Sequence, residues 1–150
     1  FAELLNQEAK DLEKMGVDVI QFDEPAFNVY LDETVEWGVP ALEKAAEGLK
    51  CTTAVHICYG YGIEANIKWK ETLGQSWRQY EQVFPALDRS RIQQVSLECA
   101  ASKVPLELIG LLKTHMERLQ PKLVAISVPF PGNLYTSLRC GQWIKRPQRY

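Results

Sequence analysis

The chain has 150 residues, of which 46% are hydrophobic, and its formal net charge is −2. That apolar content supplies a sizeable core and excludes a disordered chain. Apolar stretches all fall short of the roughly 20 residues that a membrane-spanning helix needs. The four cysteines are sparse and irregularly spaced, which argues against a small secreted disulfide framework and indicates a reducing cytoplasm.

Helix and strand patterns alternate along the chain. Apolar residues at helical spacing followed by Gly16 predict a first helix, and a β-branched run that stops at Pro25 predicts a first strand. The chain begins inside the first helical pattern without a leader-like segment, so we expect that sequence precedes it. In chain order, the predicted elements are a helix over 2–15, a strand over 17–22, a helix over 32–49, a strand over 52–59, a helix over 75–88 with Ser76 as N-cap, a strand over 92–99, a helix over 105–119 and a strand over 123–130.

Each predicted strand is an almost continuous apolar run, which is typical of a parallel sheet covered by helices. Two architectures compete, namely an open doubly wound sheet and a (β/α)8 barrel. No Gly-x-Gly-x-x-Gly turn follows any strand, which weakens the nucleotide-binding open sheet. A complete barrel needs about 250 residues, so this chain supplies about half of one. The predicted fold class is therefore α/β, a partial TIM barrel with parallel strands and outer helices.

Polar side chains lie at the ends of three predicted strands, where reactive groups gather in parallel α/β folds. His56 and Cys58 are two residues apart and point to the same side of their strand, so they can share a zinc ion. Glu98 is a carboxylate in an apolar run, which is costly unless it is paired or bound to metal. Asp23 and Glu24 can bind a cationic group or act in proton transfer. Each set also has a purely structural alternative. His56 and Cys58 could simply be buried, Glu98 could form a salt bridge, and Asp23 and Glu24 could cap a helix.

Three sequence motifs, in the same order and at similar intervals, resemble those of one protein family. Gln21–Phe27 resembles the Ile-Asp-Glu-Pro-Ala segment of the cobalamin-independent methionine synthases, and Thr53–Tyr59 resembles their zinc-binding His-x-Cys-Tyr strand. Val95–Glu98 resembles the strand that supplies their glutamate ligand. The resemblance covers roughly residues 1–112. It implies a TIM barrel that transfers a methyl group from 5-methyltetrahydrofolate, as a polyglutamate, to homocysteine and so forms methionine.

The resemblance also assigns roles to particular residues. His56, Cys58 and Glu98 correspond to ligands of a Zn²⁺ cofactor, and Asp23 corresponds to the residue that binds the amino group of homocysteine. The family's fourth zinc ligand is a cysteine followed by glycine, and Cys140 is the only candidate, although it lies too close to Glu98 in sequence. The family's catalytic histidine has no recognisable counterpart, so no catalytic residue is assigned.

Charge changes sign where the resemblance stops. Residues 1–112 carry 18 acidic and 10 basic side chains, whereas residues 113–150 carry one acidic and seven basic side chains. We interpret residues 1–112 as part of the zinc-binding catalytic barrel and residues 113–150 as a divergent basic C-terminal segment, with a frame-shifted coding sequence as one explanation. A nucleic-acid-binding tail ranks low, because no motif supports it.

Two other functions stay open. A related zinc-thiol methyltransferase would use a corrinoid or another methyl donor, and a non-catalytic truncated remnant would have lost the activity. The expected partners are the small molecules homocysteine and methylated folate, with no nucleic acid and no membrane, in the cytoplasm. The open edges of a half barrel also invite self-association.

Overall fold

A computed structural model of the chain describes residues 1–99, 102–105, 107 and 108. Its elements, in chain order, are α1 (Ala2–Lys14), β1 (Val19–Glu24), α2 (Leu31–Glu33), a π-helical turn (Thr34–Gly38), α3 (Val39–Ala45), β2 (Thr52–Ile57), α4 (Glu64–Thr72), α5 (Tyr80–Asp88) and β3 (Gln94–Leu97). They all belong to one compact unit, Phe1–Gly74 with Gln79–Glu98, while a second unit holds Gln75–Arg78 and the described residues from Cys99 onward. Within the described residues, no helix is long and apolar enough to cross a bilayer.

The three strands form one parallel sheet in the order β1-β2-β3. Asp23 of β1 pairs with His56 of β2, which in turn pairs with Ser96 of β3. The crossovers between sequential parallel strands are right-handed as a rule, so they place the intervening helices on the same side of the sheet. The predicted parallel pairing of the first three strands is thereby confirmed.

The two faces of this sheet differ in polarity and burial. The first, here called the helix face, carries the apolar residues Ile20, Phe22, Val55, Ile57, Val95 and Leu97. The second, here called the open face, carries Gln21, Asp23, Ala54, His56, Gln94 and Ser96, and alternation along the strands extends it to Cys58 and Glu98. Ile20, Val55 and Ile57 are buried, whereas Gln21 and Asp23 are exposed. The apolar core of the unit therefore lies on the helix face.

Helix α1 is tied to the chain that follows α3 by two polar side chains. Buried Asn6 donates its amide hydrogens to the carbonyls of Ala45, at 2.9 Å, and Glu47, at 2.8 Å. The Glu13 carboxylate accepts the backbone N–H groups of Lys50 and Cys51, each at 2.6 Å. These two hydrogen bonds hold the pKa of Glu13 below its ordinary value. The bonds fix the point at which β2 begins.

One continuous helical segment, from Leu31 to Ala45, includes the π-helical turn. The Thr34 hydroxyl lies 2.7 Å from the carbonyl of Tyr30 and 3.0 Å from that of Phe27, a contact that bends helices. The Phe27 ring packs on Gly38, where an added Cβ would lie only 3.2 Å from it. The predicted helix over 32–49 is confirmed, but it ends at Ala45.

Other boundaries differ from the predictions. Strand β1 extends through Glu24, so the two acidic residues lie within the strand rather than after it. Helix α5 begins at Tyr80 with Gln79 as its N-cap, so the prediction of Ser76 as N-cap was wrong. Next to Ser76, the Trp77 N–H donates to the carbonyl of Lys103, at 2.8 Å, and is not part of a helix. Helix α4 has no predicted counterpart, and the predicted helix over 105–119 and strand over 123–130 lie almost entirely outside the described residues.

Candidate functional site

The four residues singled out from the sequence lie at the carboxyl ends of the three strands, on the open face. Asp23 and His56 are paired across β1 and β2, and Cys58 and Glu98 directly follow β2 and β3. The Glu98 N–H donates to the carbonyl of Ile57 at 3.1 Å, which extends the parallel ladder by one residue. The backbone therefore brings the predicted residues to one edge of the sheet, where ligands bind in such folds.

Cys58 and Glu98 are both anchored by the segment Cys58–Tyr61, here called the 58–61 turn. The Glu98 carboxylate accepts the Tyr59 N–H on Oε2 at 3.1 Å and the Tyr61 hydroxyl on Oε1 at 2.5 Å. The Gly60 N–H points at the Cys58 Sγ, at 3.3 Å. Desolvation of the Tyr61 hydroxyl, then its bond to Glu98, raises the pKa of Tyr61 above its ordinary value. The phenol therefore stays protonated at neutral pH and donates to the carboxylate.

The conformation of the 58–61 turn depends on Gly60. Its φ of 66° lies in the left-handed region that favours glycine, and an added Cβ would collide with the Asn66 side-chain amide. The Lys70 ammonium donates to the Gly60 carbonyl at 2.5 Å and lies 4.7 Å from the centroid of the Tyr61 ring. Helix α4, which supplies Asn66 and Lys70, therefore holds the turn in place.

His56 is half-buried, and its ring is oriented by the neighbouring strand. Nδ1 lies 3.0 Å from the Ser96 hydroxyl, which can donate or accept according to the imidazole tautomer. A metal-bound histidine usually makes a hydrogen bond through its other ring nitrogen. The contact with Ser96 would therefore leave Nε2 as the nitrogen available to a metal ion.

The donor chemistry of His56, Cys58 and Glu98 fits zinc, but their side chains are not assembled into one cluster. Zinc takes imidazole nitrogen, cysteine sulfur and carboxylate oxygen. However, in the described part of the chain, no three His, Cys, Asp or Glu side chains are close enough to hold a metal ion. The imidazole is directed at Ser96 and the carboxylate at the 58–61 turn. The backbone is thus arranged for a three-ligand site, and the side chains would have to reorient to complete it.

Two carboxylates end β1. Asp23 is exposed on the open face, where its Oδ1 accepts the Gln21 side-chain amide at 2.9 Å. Glu24 is half-buried, and that burial, followed by the negative charge of Asp23, raises its pKa above the ordinary value. Asp23 is accordingly the carboxylate that can pair with a cationic group of a small molecule.

Two residues that the sequence did not single out hold the strand ends. Asn28 is fully buried and donates to the Cys58 carbonyl at 3.1 Å. The Tyr80 hydroxyl lies 3.1 Å from the Ile57 carbonyl and 2.8 Å from the Glu98 carbonyl. Neither residue carries a periodicity or motif signal. Only the path of the chain after β1 and the start of α5 reveal these roles.

Comparisons with known proteins agree with this geometry. A family model described as "Cobalamin-independent synthase, Catalytic domain" matches residues 1–66. The methionine synthase of Sulfolobus acidocaldarius is 30% identical over 97 residues, which cover 65% of this chain and 23% of the relative. That of Saccharolobus islandicus strain L.S.2.15 is 29% identical over 135 residues, which cover 80% of this chain and 34% of the relative.

Among solved structures, a B12-independent methionine synthase from Shewanella sp. W3-18-1 in complex with selenomethionine is similar at 65% identity and a TM-score of 0.67. The match covers 75% of this chain and 33% of that one. The chain thus spans about a quarter to a third of the length of these relatives. Together with the parallel sheet, this similarity confirms the predicted fold class, a partial TIM barrel with outer helices.

Proposed function

The chain belongs to the family of cobalamin-independent methionine synthases, and on this premise we propose that it is a zinc-dependent methyltransferase. The proposed reaction moves the methyl group of 5-methyltetrahydrofolate, as a polyglutamate, to the sulfur of homocysteine. A carbon–sulfur bond forms, the carbon–nitrogen bond to the folate breaks, and the folate nitrogen gains a proton. The product is methionine.

The observation that carries the proposal is the register of the sheet. In this register Asp23 lies directly opposite His56 on the neighbouring strand. Cys58 and Glu98 lie opposite each other, two residues further along the open face. The three metal-binding residue types thus come from adjacent strands, with the carboxylate for the substrate beside the histidine. We propose His56, Cys58 and Glu98 as the zinc ligands and Asp23 as the residue that binds the amino group of homocysteine.

Each residue has a distinct part in this proposal. Zinc held by the three ligands would favour the thiolate form of the homocysteine sulfur, which is the nucleophile. Asp23, being exposed, can pair with the ammonium group and so fix the direction in which the sulfur points. Cys140, the remaining candidate for a fourth ligand, lies outside the described residues.

The metal site is tested by titrating the purified chain with zinc beside the variants His56→Ala, Cys58→Ala and Glu98→Ala. The matched control is Cys51→Ala, since Cys51 precedes β2 at the opposite end of the strand. We expect the wild type and the control to bind one zinc ion, and the three ligand variants to bind it far more weakly. Equal zinc binding by all five proteins would refute the site.

The methyl donor is tested separately, by supplying homocysteine with either methylated folate or a methylcorrinoid. We expect methionine to form only with the folate as methyl donor. Its formation should be slow, because the described residues offer only three zinc ligands. Turnover only with the corrinoid would favour a related zinc-thiol methyltransferase, and zinc binding without turnover would favour a non-catalytic remnant. We further propose a cytoplasmic location and self-association through the edges of the sheet, which ultracentrifugation would detect as a concentration-dependent mass.

A further inference from the structure

We propose that Gln21 is a positioning residue for Asp23, whose carboxylate it orients to receive the amino group of the substrate. The inference rests on the proposed function, because Asp23 is the residue proposed to bind the amino group of homocysteine. It deepens that function by adding a residue that governs the choice between an amino acid and a similar molecule without the amino group. Gln21 acts through Asp23 and does not have to touch the substrate.

A charge-assisted hydrogen bond joins the two side chains. Gln21 and Asp23 are two positions apart on β1, so both project from the open face. The Gln21 Nε2 group donates to the Asp23 Oδ1 at 2.9 Å. A hydrogen bond to an ionised acceptor is roughly twice as strong as one between neutral groups. The bond therefore restrains the terminal torsion of Asp23, which is otherwise broad for this residue type.

The Asp23 carboxylate keeps both its charge and its capacity to accept further hydrogen bonds. An ionised carboxylate has about four lone-pair sites. Among the described residues, the Gln21 amide is the one hydrogen-bond donor to this carboxylate, and it engages Oδ1. Because Gln21 is uncharged, it orients the carboxylate without neutralising it. Oδ2 therefore stays available to an ammonium group, which carries only hydrogen-bond donors.

The register of the sheet shows from which side Gln21 reaches Asp23. Asp23 lies opposite His56, whereas Cys58 and Glu98 lie two residues further toward the carboxyl ends of the strands. Gln21 precedes Asp23 by two residues, so it reaches the carboxylate from the amino-terminal side of the sheet, away from the proposed zinc ligands. An amino acid whose sulfur lies at those ligands thus approaches Asp23 from the side that Gln21 leaves free.

The test compares Gln21→Met with Gln94→Met in the full, zinc-supplemented chain. Gln94 is a matched control, because it is an exposed glutamine on the open face, level with Gln21 and separated from it by Ala54. Calorimetry measures the dissociation constants of L-methionine and of its analogue with hydrogen in place of the amino group. We expect the wild type and Gln94→Met to prefer methionine, and Gln21→Met to lose about 3- to 10-fold of that preference, the contribution of one hydrogen bond.

The ratio of the two dissociation constants distinguishes positioning from a structural role. If Gln21 only stabilised the strand, its replacement would weaken both ligands alike and leave the ratio unchanged, which would overturn the inference. NMR of the ligand-free chain provides a measurement that does not depend on Gln21→Met. In Asp23→Ala we expect the hydrogen-bonded Nε2 hydrogen of Gln21 to shift upfield while those of Gln94 stay in place. An unshifted Gln21 signal would also overturn the inference.

The variant Asp23→Asn, measured with the same two ligands, separates this inference from the proposed function. We expect the preference for methionine to disappear in it, because the negative charge is lost. If Asp23→Asn loses the preference and Gln21→Met keeps it, the positioning role of Gln21 fails alone. A wild type without the preference, or an Asp23→Asn variant that retains it, contradicts the role proposed for Asp23 and overturns the inference with it.

Discussion

The two faces of the three-stranded sheet differ in what they contribute: the helix face forms the apolar core, and the open face carries the candidate site. The helix face presents Val55 and Ile57 with no exposed surface, in an apolar layer. The open face, made by the alternate residues of the same strands, presents Asp23, His56 and Ser96. Because side chains alternate in a strand, one short sequence such as the one around residue 56 contributes to both. Stability and chemistry can therefore be changed separately at adjacent positions of one strand.

The largest effect is expected from a substitution on the helix face that leaves the open-face side chains unchanged. Ile57→Ala removes a completely buried side chain and should lower the free energy of unfolding by about 3 kcal/mol. Gln94→Ala, at an exposed position of β3, should change it by no more than about 0.5 kcal/mol. Urea denaturation followed by circular dichroism measures both. Similar losses in the two variants would contradict the division between the faces.

A smaller effect tests the residue that joins the ends of β2 and β3. The Tyr80 hydroxyl contacts the carbonyls of Ile57 and Glu98, at the ends of β2 and β3. Tyr80→Phe should lower the free energy of unfolding by about 1 kcal/mol, since a buried hydrogen bond is lost while the ring remains. Tyr30→Phe is the control at an exposed position, and the same urea denaturation applies. A change as small as that of the control would show that the hydroxyl does not join the strands.

The smallest effect concerns Glu24, whose pKa is raised in the folded chain by burial and by Asp23. When the pKa of a carboxyl group is higher in the folded than in the unfolded chain, its contribution to stability is fully present at pH values below the ordinary pKa of 4.5. This contribution is lost as the pH rises through the folded-state pKa. Glu24→Gln should therefore lose less stability than the wild type as the pH rises to neutrality. Parallel urea midpoints across pH for the two proteins would contradict the shift.

The backbone placement of the site followed from local patterns in the sequence. Helix α1 ends within one residue of its predicted end, because Gly16 adopts a φ of 92° that few other residues tolerate. The parallel pairing of β1, β2 and β3 follows from their apolar runs, and it brings Asp23, His56 and Glu98 to one edge. These features depend on a few neighbouring residues, which is why they could be predicted.

Features that depend on distant contacts could not be predicted in this way. Helix α4 presents mostly exposed residues, so its apolar periodicity is weak, yet it supplies Lys70 to the 58–61 turn. The orientation of the His56 ring depends on Ser96, which is 40 residues away in sequence. The hydrogen bond from the Tyr61 hydroxyl to Glu98 likewise joins residues that are 37 positions apart in sequence. The sequence indicates which groups can meet, and the tertiary contacts decide how each is oriented.

X-ray absorption spectroscopy of the zinc-loaded chain tests the proposal that His56, Cys58 and Glu98 share one zinc ion. We predict a sulfur atom at about 2.3 Å from zinc and nitrogen or oxygen atoms at about 2.0–2.2 Å. In Cys58→Ala the sulfur contribution should fall, whereas in Cys51→Ala it should remain. A zinc environment without sulfur in the wild type, or a sulfur contribution unchanged in Cys58→Ala, would contradict the claim.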